Sequence, residues 1–190
     1  IWLTPLMDRL WIDNSMGRRK LLDRMVMNFF PEHAQNCIIY DQVLRQRNKL
    51  FKENCMDFDW FLSVENQMAE YGYRIDVNRR KVIEILLESQ SLMGKGVFLP
   101  NIDISLTGPK IVNTETFLQD IIAGRSQDRL AGRTLKGPHR SDLIVKHGPK
   151  NMEAKYCSTG EQKSLLFSLF LSNASAICRK FGKPPIILLD

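Results

Sequence analysis

The sequence predicts a mixed α/β fold, rich in helix, in which a pair of long helices interrupts a lobe of short strands. Three observations carry this. Ten positions from Phe61 to Leu92 follow alternating steps of three and four residues, and eight of the ten are apolar, the spacing of a helix with one buried stripe. Ile102-Asp103-Ile104-Ser105-Leu106 alternates like a strand with one wet face. Pro185-Ile186-Ile187-Leu188-Leu189-Asp190 reads as a buried strand that ends on a carboxylate.

The elements follow in order. Residues 1–11, with Thr4-Pro5 and alternating bulky side chains, fit a strand end and a loop leaving a sheet. Ser15 is the expected cap of a first helix with Leu21, Leu22, Met25, Val26 and Phe29 at helical spacing. Pro31 and Glu32 open a second helix that runs to about Asn54. The third is the stripe Phe61, Val64, Met68, Tyr71, Ile75, Asn78, Val82, Ile85, Ser89 and Leu92, with a polar Asn78 in mid-seam and Gly72 as a weak point. A link as short as residues 53–57 makes an antiparallel helical hairpin of these two. After Gly94 the texture changes: Val97-Phe98-Leu99 and residues 102–106 read as strands, stopped by Gly108-Pro109. Thr114 is expected to cap a helix through about Arg129, and two short strands, residues 133–135 and 141–145, to flank Gly137-Pro138-His139-Arg140. Lys95, in Gly94-Lys95-Gly96, reads as a plain turn.

The 190 residues are 44% hydrophobic, enough for one sizeable core. No apolar run approaches the roughly 20 residues of a membrane span, so a cytoplasmic location is expected. Cys37, Cys55, Cys157 and Cys178 form no C-x-x-C, and His33, His139 and His147 do not fall at ligand spacing. Reduced thiols and no structural metal follow from that spacing. The net charge of +6 is uneven: residues 16–52 hold eight lysines and arginines against three acids, +5 of the total. Arg18, Arg19, Lys20, Arg24, Arg45, Arg47 and Lys49 suit sequence-independent contacts to phosphates, with Gln46 and Asn48 as further hydrogen-bond donors. Arg45 also stands four residues from Asp41, so part of this charge is accounted for within a helix.

The chemistry concentrates near the C-terminus. Cys157-Ser158-Thr159-Gly160-Glu161-Gln162-Lys163 leads into an apolar helix. A Ser-x-Gly turn at a helix start offers a hydroxyl and unpaired backbone N–H groups to phosphate oxygens, and Gly160 leaves the backbone approachable. The same residues make a capping box, Ser158 with Glu161, that needs no ligand. Leu165, Leu166, Phe167, Leu169, Phe170 and Leu171 leave the helix almost no wet face, and Ser164, Ser168, Ser172 and Ala176 line it with small side chains. Asp190, at a strand end, suits a magnesium ligand. Together these features read as the second half of an ABC-type ATPase site. His139 and Arg140 fit either a phosphate contact or a structural turn.

Adding Gly137-Pro138-His139-Arg140-Ser141-Asp142-Leu143, Tyr40-Asp41-Gln42-Val43-Leu44-Arg45-Gln46-Arg47-Asn48 and Arg18-Arg19-Lys20-Leu21-Leu22-Asp23-Arg24, the order of motifs resembles the RecF family over nearly the whole chain. Cys157 departs from the leucine usual at that position of ABC signatures. The resemblance implies part of an ABC-type ATPase head with an inserted helical hairpin. It divides the chain into a head segment (residues 1–14), a helical arm (15–96) and a signature lobe with the Walker B strand (97–190). It implies ATP and Mg2+ as cofactors, with Ser158, Thr159, Gly160, Glu161 and Gln162 closing on the γ-phosphate of ATP held by the opposite subunit of an ATP-dependent homodimer. Asp190 would be the Walker B residue. The partners implied are DNA, including single-stranded/double-stranded junctions, and RecR and RecO, in loading the RecA recombinase during recombinational repair, replication and the SOS response. No P-loop is present: Lys163-Ser164 lacks glycines at Cys157 and Gln162. The expectation is therefore an internal piece of a longer, slowly hydrolysing DNA-dependent ATPase, with no catalytic residue of its own. Two rival readings are an ABC transporter nucleotide-binding subunit and a helical nucleic-acid-binding domain without nucleotide chemistry.

Overall fold

The computed structural model describes residues 2–3, 7, 9–93 and 99–189. In chain order the elements are β1 (Trp2–Leu3), α1 (Ser15–Met27), α2 (His33–Lys52), α3 (Phe58–Leu92), β2 (Ile102–Leu106), α4 (Thr114–Ala123), α5 (Arg125–Ala131), β3 (Leu143–His147), β4 (Met152–Glu153), α6 (Thr159–Phe181) and β5 (Leu188–Leu189). Short 3-10 turns, Gly148–Lys150 and Ala154–Tyr156, flank β4. The chain groups into two compact units, a sheet unit from Ile1–Phe29, Arg80–Thr107 and Asp142–Asp190, and a helical unit from Phe30–Arg79 and Gly108–Ser141. These units divide the chain at other points than the segment ends expected at residues 14 and 96: α1 groups with the strands, and α3 contributes to both.

In the helical unit, α2 supplies Tyr40, Val43, Leu50 and Phe51 to one buried cluster. From α3 come Phe61, Val64, Met68, Ala69 and Ile75, and Ile111, Phe117 and Ile121 complete it. Each Val, Leu, Ile, Phe or Met side chain among these contributes about 1.5 to 3 kcal/mol when taken out of water. The α3 stripe is thus largely buried as its spacing predicts, Asn78 included, with Tyr71 and Ile85 half-buried and Leu92 exposed. Gly72 has a packing reason: a Cβ there would lie 2.6 Å from Phe117 Cε1 and 3.1 Å from Tyr40 Cε2. The expected weak point is a close approach of α3 to Phe117 and Tyr40.

In the sheet unit, β2, β3 and β4 form an antiparallel sheet in which Ile104 faces Val145 and Leu106 faces Leu143. Ile102 and Ile104 are buried while Asp103 and Ser105 are exposed, the alternation expected of a sheet covered on one face. Helix α1 lies against β3, and α6 against β2 and β3. The Gln90 carboxamide pairs with both backbone groups of Ile102, at 2.9 and 2.8 Å, and so stands in for a further strand at that edge. Ser168 Oγ donates to Pro100 O at 2.8 Å, so the small-residue stripe of α6 does bring it close to the chain entering β2. Helix α6 is wetter than expected, with Phe167 39% exposed.

Strands β1 and β5 pair in parallel, Trp2 opposite Leu188 and Leu3 opposite Leu189. The strand at residues 185–190 was expected to be buried. Ile186 and Leu188 are instead 78% and 62% exposed, and among the described residues β5 pairs with β1 alone.

Three local expectations are corrected. Residues 133–135 form no strand: Thr134 N–H and Oγ1 donate to Asn48 Oδ1, and Leu135 N–H to Asp128 Oδ1, so side chains take the donors a ladder would have used. The helix from Thr114 does not run on to Arg129. It is capped by Asn113, ends at Ala123, and resumes after Gly124 as α5. The later strand starts at Leu143 rather than at residue 141, because Ser141 is occupied in a turn, its hydroxyl donating to Pro138 O. Lys95 and Val97-Phe98, read as turn and strand, lie outside the described residues, as does Asp190.

Candidate functional site

The loop preceding α6 is built by local bonds. Ser158 is the N-cap of α6, its Oγ accepting from Glu161 N–H at 3.5 Å and donating to Glu161 Oε2 at 2.8 Å. Glu161 Oε2 also accepts from Ser158 N–H at 2.8 Å, which completes the capping box. Lys150, from the turn after β3, pairs with the other oxygen of Glu161. This ammonium first, then the Ser158 amide and hydroxyl, draw the Glu161 carboxyl down to about 2. Lys150 is correspondingly held above its ordinary value by Glu161.

Beneath the exposed Ser158, Thr159 and Gly160, two side chains are buried. Gln162 is 5% exposed, and its Nε2 donates to Cys157 O at 3.0 Å. Cys157 fills the leucine position as a small buried side chain, and burial pushes its thiol up. The packing behind the loop is intact despite that substitution.

Gly160 is the informative residue. Its backbone is helical, and a Cβ built on it would meet nothing within 4 Å. Neither crowding nor a positive φ within the chain calls for glycine, and a helical glycine costs about 0.5 to 1 kcal/mol relative to alanine. The amides of Thr159 and Gly160 stand in the first turn, where a helix offers no carbonyl of its own. The positive helix end, the hydroxyl and the open backbone make a surface on which a phosphate oxygen fits. Ser158 would first have to exchange Glu161 for that oxygen, since its proton is already shared.

The motif Gly137-Pro138-His139-Arg140-Ser141 is largely structural. A Cβ on Gly137, at φ +133°, would lie 2.4 Å from the Tyr40 hydroxyl. Burial holds the Tyr40 phenol protonated, so it donates to His139 Nδ1 at 2.8 Å, and His139 Nε2–H donates to Thr134 O at 3.1 Å. Arg79 donates to Pro138 O at 2.7 Å and to Ser141 Oγ at 3.0 Å. Arg140 is exposed.

Two residues expected to contact phosphates are withdrawn. Arg47 is wholly buried, bonded to Glu65 at 3.0 Å, to Asp128 at 2.6 Å, to Thr134 Oγ1 and to Ile121 O. Arg125 shares Glu65. The signal was present in the sequence: Arg47 lies on the stripe Tyr40, Val43, Arg47, Leu50, the buried face of α2. Arg18 is bidentate on Asp142, 2.8 Å for each bond. Arg19 donates to Ser15 Oγ, Arg45 pairs with Asp41 at 2.7 Å, and Lys49 lies 3.6 Å from Glu53. The Arg45–Asp41 and Lys49–Glu53 pairs are exposed and cost little to open. Lys20 is exposed. Sequence reasoning also missed Trp11, which touches the loop from a distant segment, and Lys150, which reaches Glu161 from the turn before β4. Among the described residues no helix is long and apolar enough to cross a membrane.

No protein-family model matches the chain. It is 42% identical, over its whole length, to the DNA replication and repair protein RecF of Mesorhizobium japonicum. It is 39% identical to the proteins of that name in Allorhizobium ampelinum and Brucella abortus, again over its whole length. The chain spans about half the length of these relatives, 52 to 53%. Two solved structures of the recombination mediator protein RecF of the RecFOR pathway, one with ATPrS and one with ATP, superpose on the whole chain. Their TM-scores are 0.85 and 0.84, at 23% and 22% identity, and 54% of each is covered.

Proposed function

Because the chain belongs to the RecF family, matching about half the length of its curated members, we propose that it carries the signature half of an ATP-dependent DNA replication and repair protein. The Ser158-Thr159-Gly160-Glu161-Gln162 loop closes on the γ-phosphate of ATP held by a second subunit, so nucleotide and dimerisation are coupled. The observation that carries this is Gly160, a glycine whose absent side chain leaves open space above an exposed helix end. The ATP named with one solved relative supports the choice of ligand. Asp190 serves as a magnesium ligand, and hydrolysis belongs to groups contributed by the longer protein.

In the full-length protein, Ser158→Arg should leave ATP binding by the monomer unchanged and abolish ATP-induced dimers, as read by sedimentation. Dimers that form as in the parent would end this reading.

DNA is held without sequence preference by surface cations, and of the original candidates Arg19, Lys20, Arg24, Arg45 and Lys49 remain. Replacing Lys20, Arg45 and Lys49 by alanine should flatten the slope of log affinity against log salt by about two to three units. An unchanged slope would assign them to intrahelical pairing. Assembly with RecR and RecO, the loading of a recombinase at gapped DNA, and action in the cytoplasm complete the proposal.

A further inference from the structure

The bonds of Arg18 and Trp11 lead from the start of β3 to the first turn of α6. Arg18 grips both oxygens of Asp142, and its Nη1 donates to Leu10 O at 2.8 Å, Asp13 O at 2.7 Å and Trp11 O at 3.4 Å. One guanidinium therefore gathers three carbonyls of the turn before α1. Trp11 in that turn is 4% exposed, and its Nε1 donates to Gln162 O at 3.0 Å. Gln162 in turn holds Cys157 O, the residue before the capping serine. All of these residues lie within the sheet unit.

A buried helix does not need this for cohesion: the apolar side of α6 already packs on β2 and β3. A directional N–H donor aimed at the first turn fixes something packing leaves loose, the axial and rotational position of the helix start. The turn bearing Trp11 also follows β1, the partner of β5.

We propose that Arg18, Asp142 and Trp11 form a strut that positions the Ser158 loop for nucleotide held by another subunit. They are positioning residues, not phosphate ligands. The strut rests on the reading of the Ser158 loop given above and adds to it the device that sets the aim of the loop.

The test uses the full-length protein and four variants: Ser158→Arg, Trp11→Phe, Arg18→Lys, and the double variant Trp11→Phe/Arg18→Lys. Trp11→Phe keeps the ring but removes the N–H, and Arg18→Lys keeps the charge but loses the bidentate grip. For each, monomer affinity for ATP, the dimer dissociation constant in ATP, and the thermal midpoint are measured. Trp11→Phe and Arg18→Lys should each weaken the ATP-dependent dimer by at least about fivefold, the scale of one lost hydrogen bond, at unchanged monomer affinity for ATP and with the midpoint lowered by no more than about 4 °C, so that the head is still fully folded at the temperature of the dimer measurement. The double variant should be little worse than either single one, since both break one path. Dimers of parental strength in Trp11→Phe, while Ser158→Arg forms none, would overturn the strut and leave the loop reading standing. Weakening that merely follows a larger fall in the midpoint would also overturn it. Normal dimers in Ser158→Arg would remove the loop reading and the strut with it.

Discussion

Arginine is used differently in the two compact units. In the helical unit, Arg47 is surrounded by Glu65, Asp128 and Thr134, with Arg125 on the far side of Glu65, and almost none of this group meets water. In the sheet unit, Arg18 shares its donors between one carboxylate and three backbone carbonyls of an irregular turn. The first arrangement balances buried charge, so its members depend on one another for stability. The second orders a stretch of chain that has no ladder of its own, so its loss should be felt in geometry before stability. Glycine divides along the same line: Gly72 sits where there is no room for a Cβ, and Gly160 where there is ample room.

The largest effect should come from Arg47→Ala. It leaves Glu65 and Asp128 buried with only Arg125 nearby, and breaking such a group costs about 3 to 5 kcal/mol. Urea unfolding reads this directly, and a loss below about 1 kcal/mol would mean that water replaces the guanidinium.

The glycines come next and should move in opposite directions. Gly72→Ala presses a methyl into the ring of Phe117 and should cost about 1 to 3 kcal/mol. Gly160→Ala should leave stability unchanged or raise it by about 0.5 kcal/mol, since the backbone there is already helical, yet it should weaken ATP-induced dimers of the full-length protein. If Gly160→Ala dimerises normally, the open space above that residue has no phosphate to admit, and the contrast between the two glycines is merely one of packing.

The smallest effect is electrostatic and confined to the loop. The Glu161 carboxyl is held at about 2, below its ordinary 4.5, so the stabilisation it gives is fully present above pH 4.5 and is lost as the pH falls through about 2. Lys150→Ala should move its titration upward, as followed by the carboxyl carbon shift. A midpoint still near 2 would show that the Ser158 amide and hydroxyl are enough.

Helix α3 was legible in the sequence from end to end, because a buried stripe with steps of three and four recurs over many turns and few alternatives satisfy it. The capping box at Ser158 was legible for the opposite reason: cap, turn and carboxylate lie within four residues and bond to one another. Residues 133–135 were misread because the donors that a strand would have paired are met by Asn48 and Asp128, which no local pattern connects to them. The charge of Arg47 suggested a surface, although its place on an apolar stripe argued against one.

The sequence by itself therefore determined the long helices, the sheet strand at residues 102–106 and the signature loop, since each depends on periodicity or on bonds between near neighbours. Tertiary structure alone decided which cations meet solvent and what holds the loop in place. A guanidinium costs too much to bury alone, and its partners, Glu65 and Asp128 for Arg47 and Asp142 for Arg18, come from distant parts of the chain. Whether such a residue faces water is settled only when folding brings them within reach.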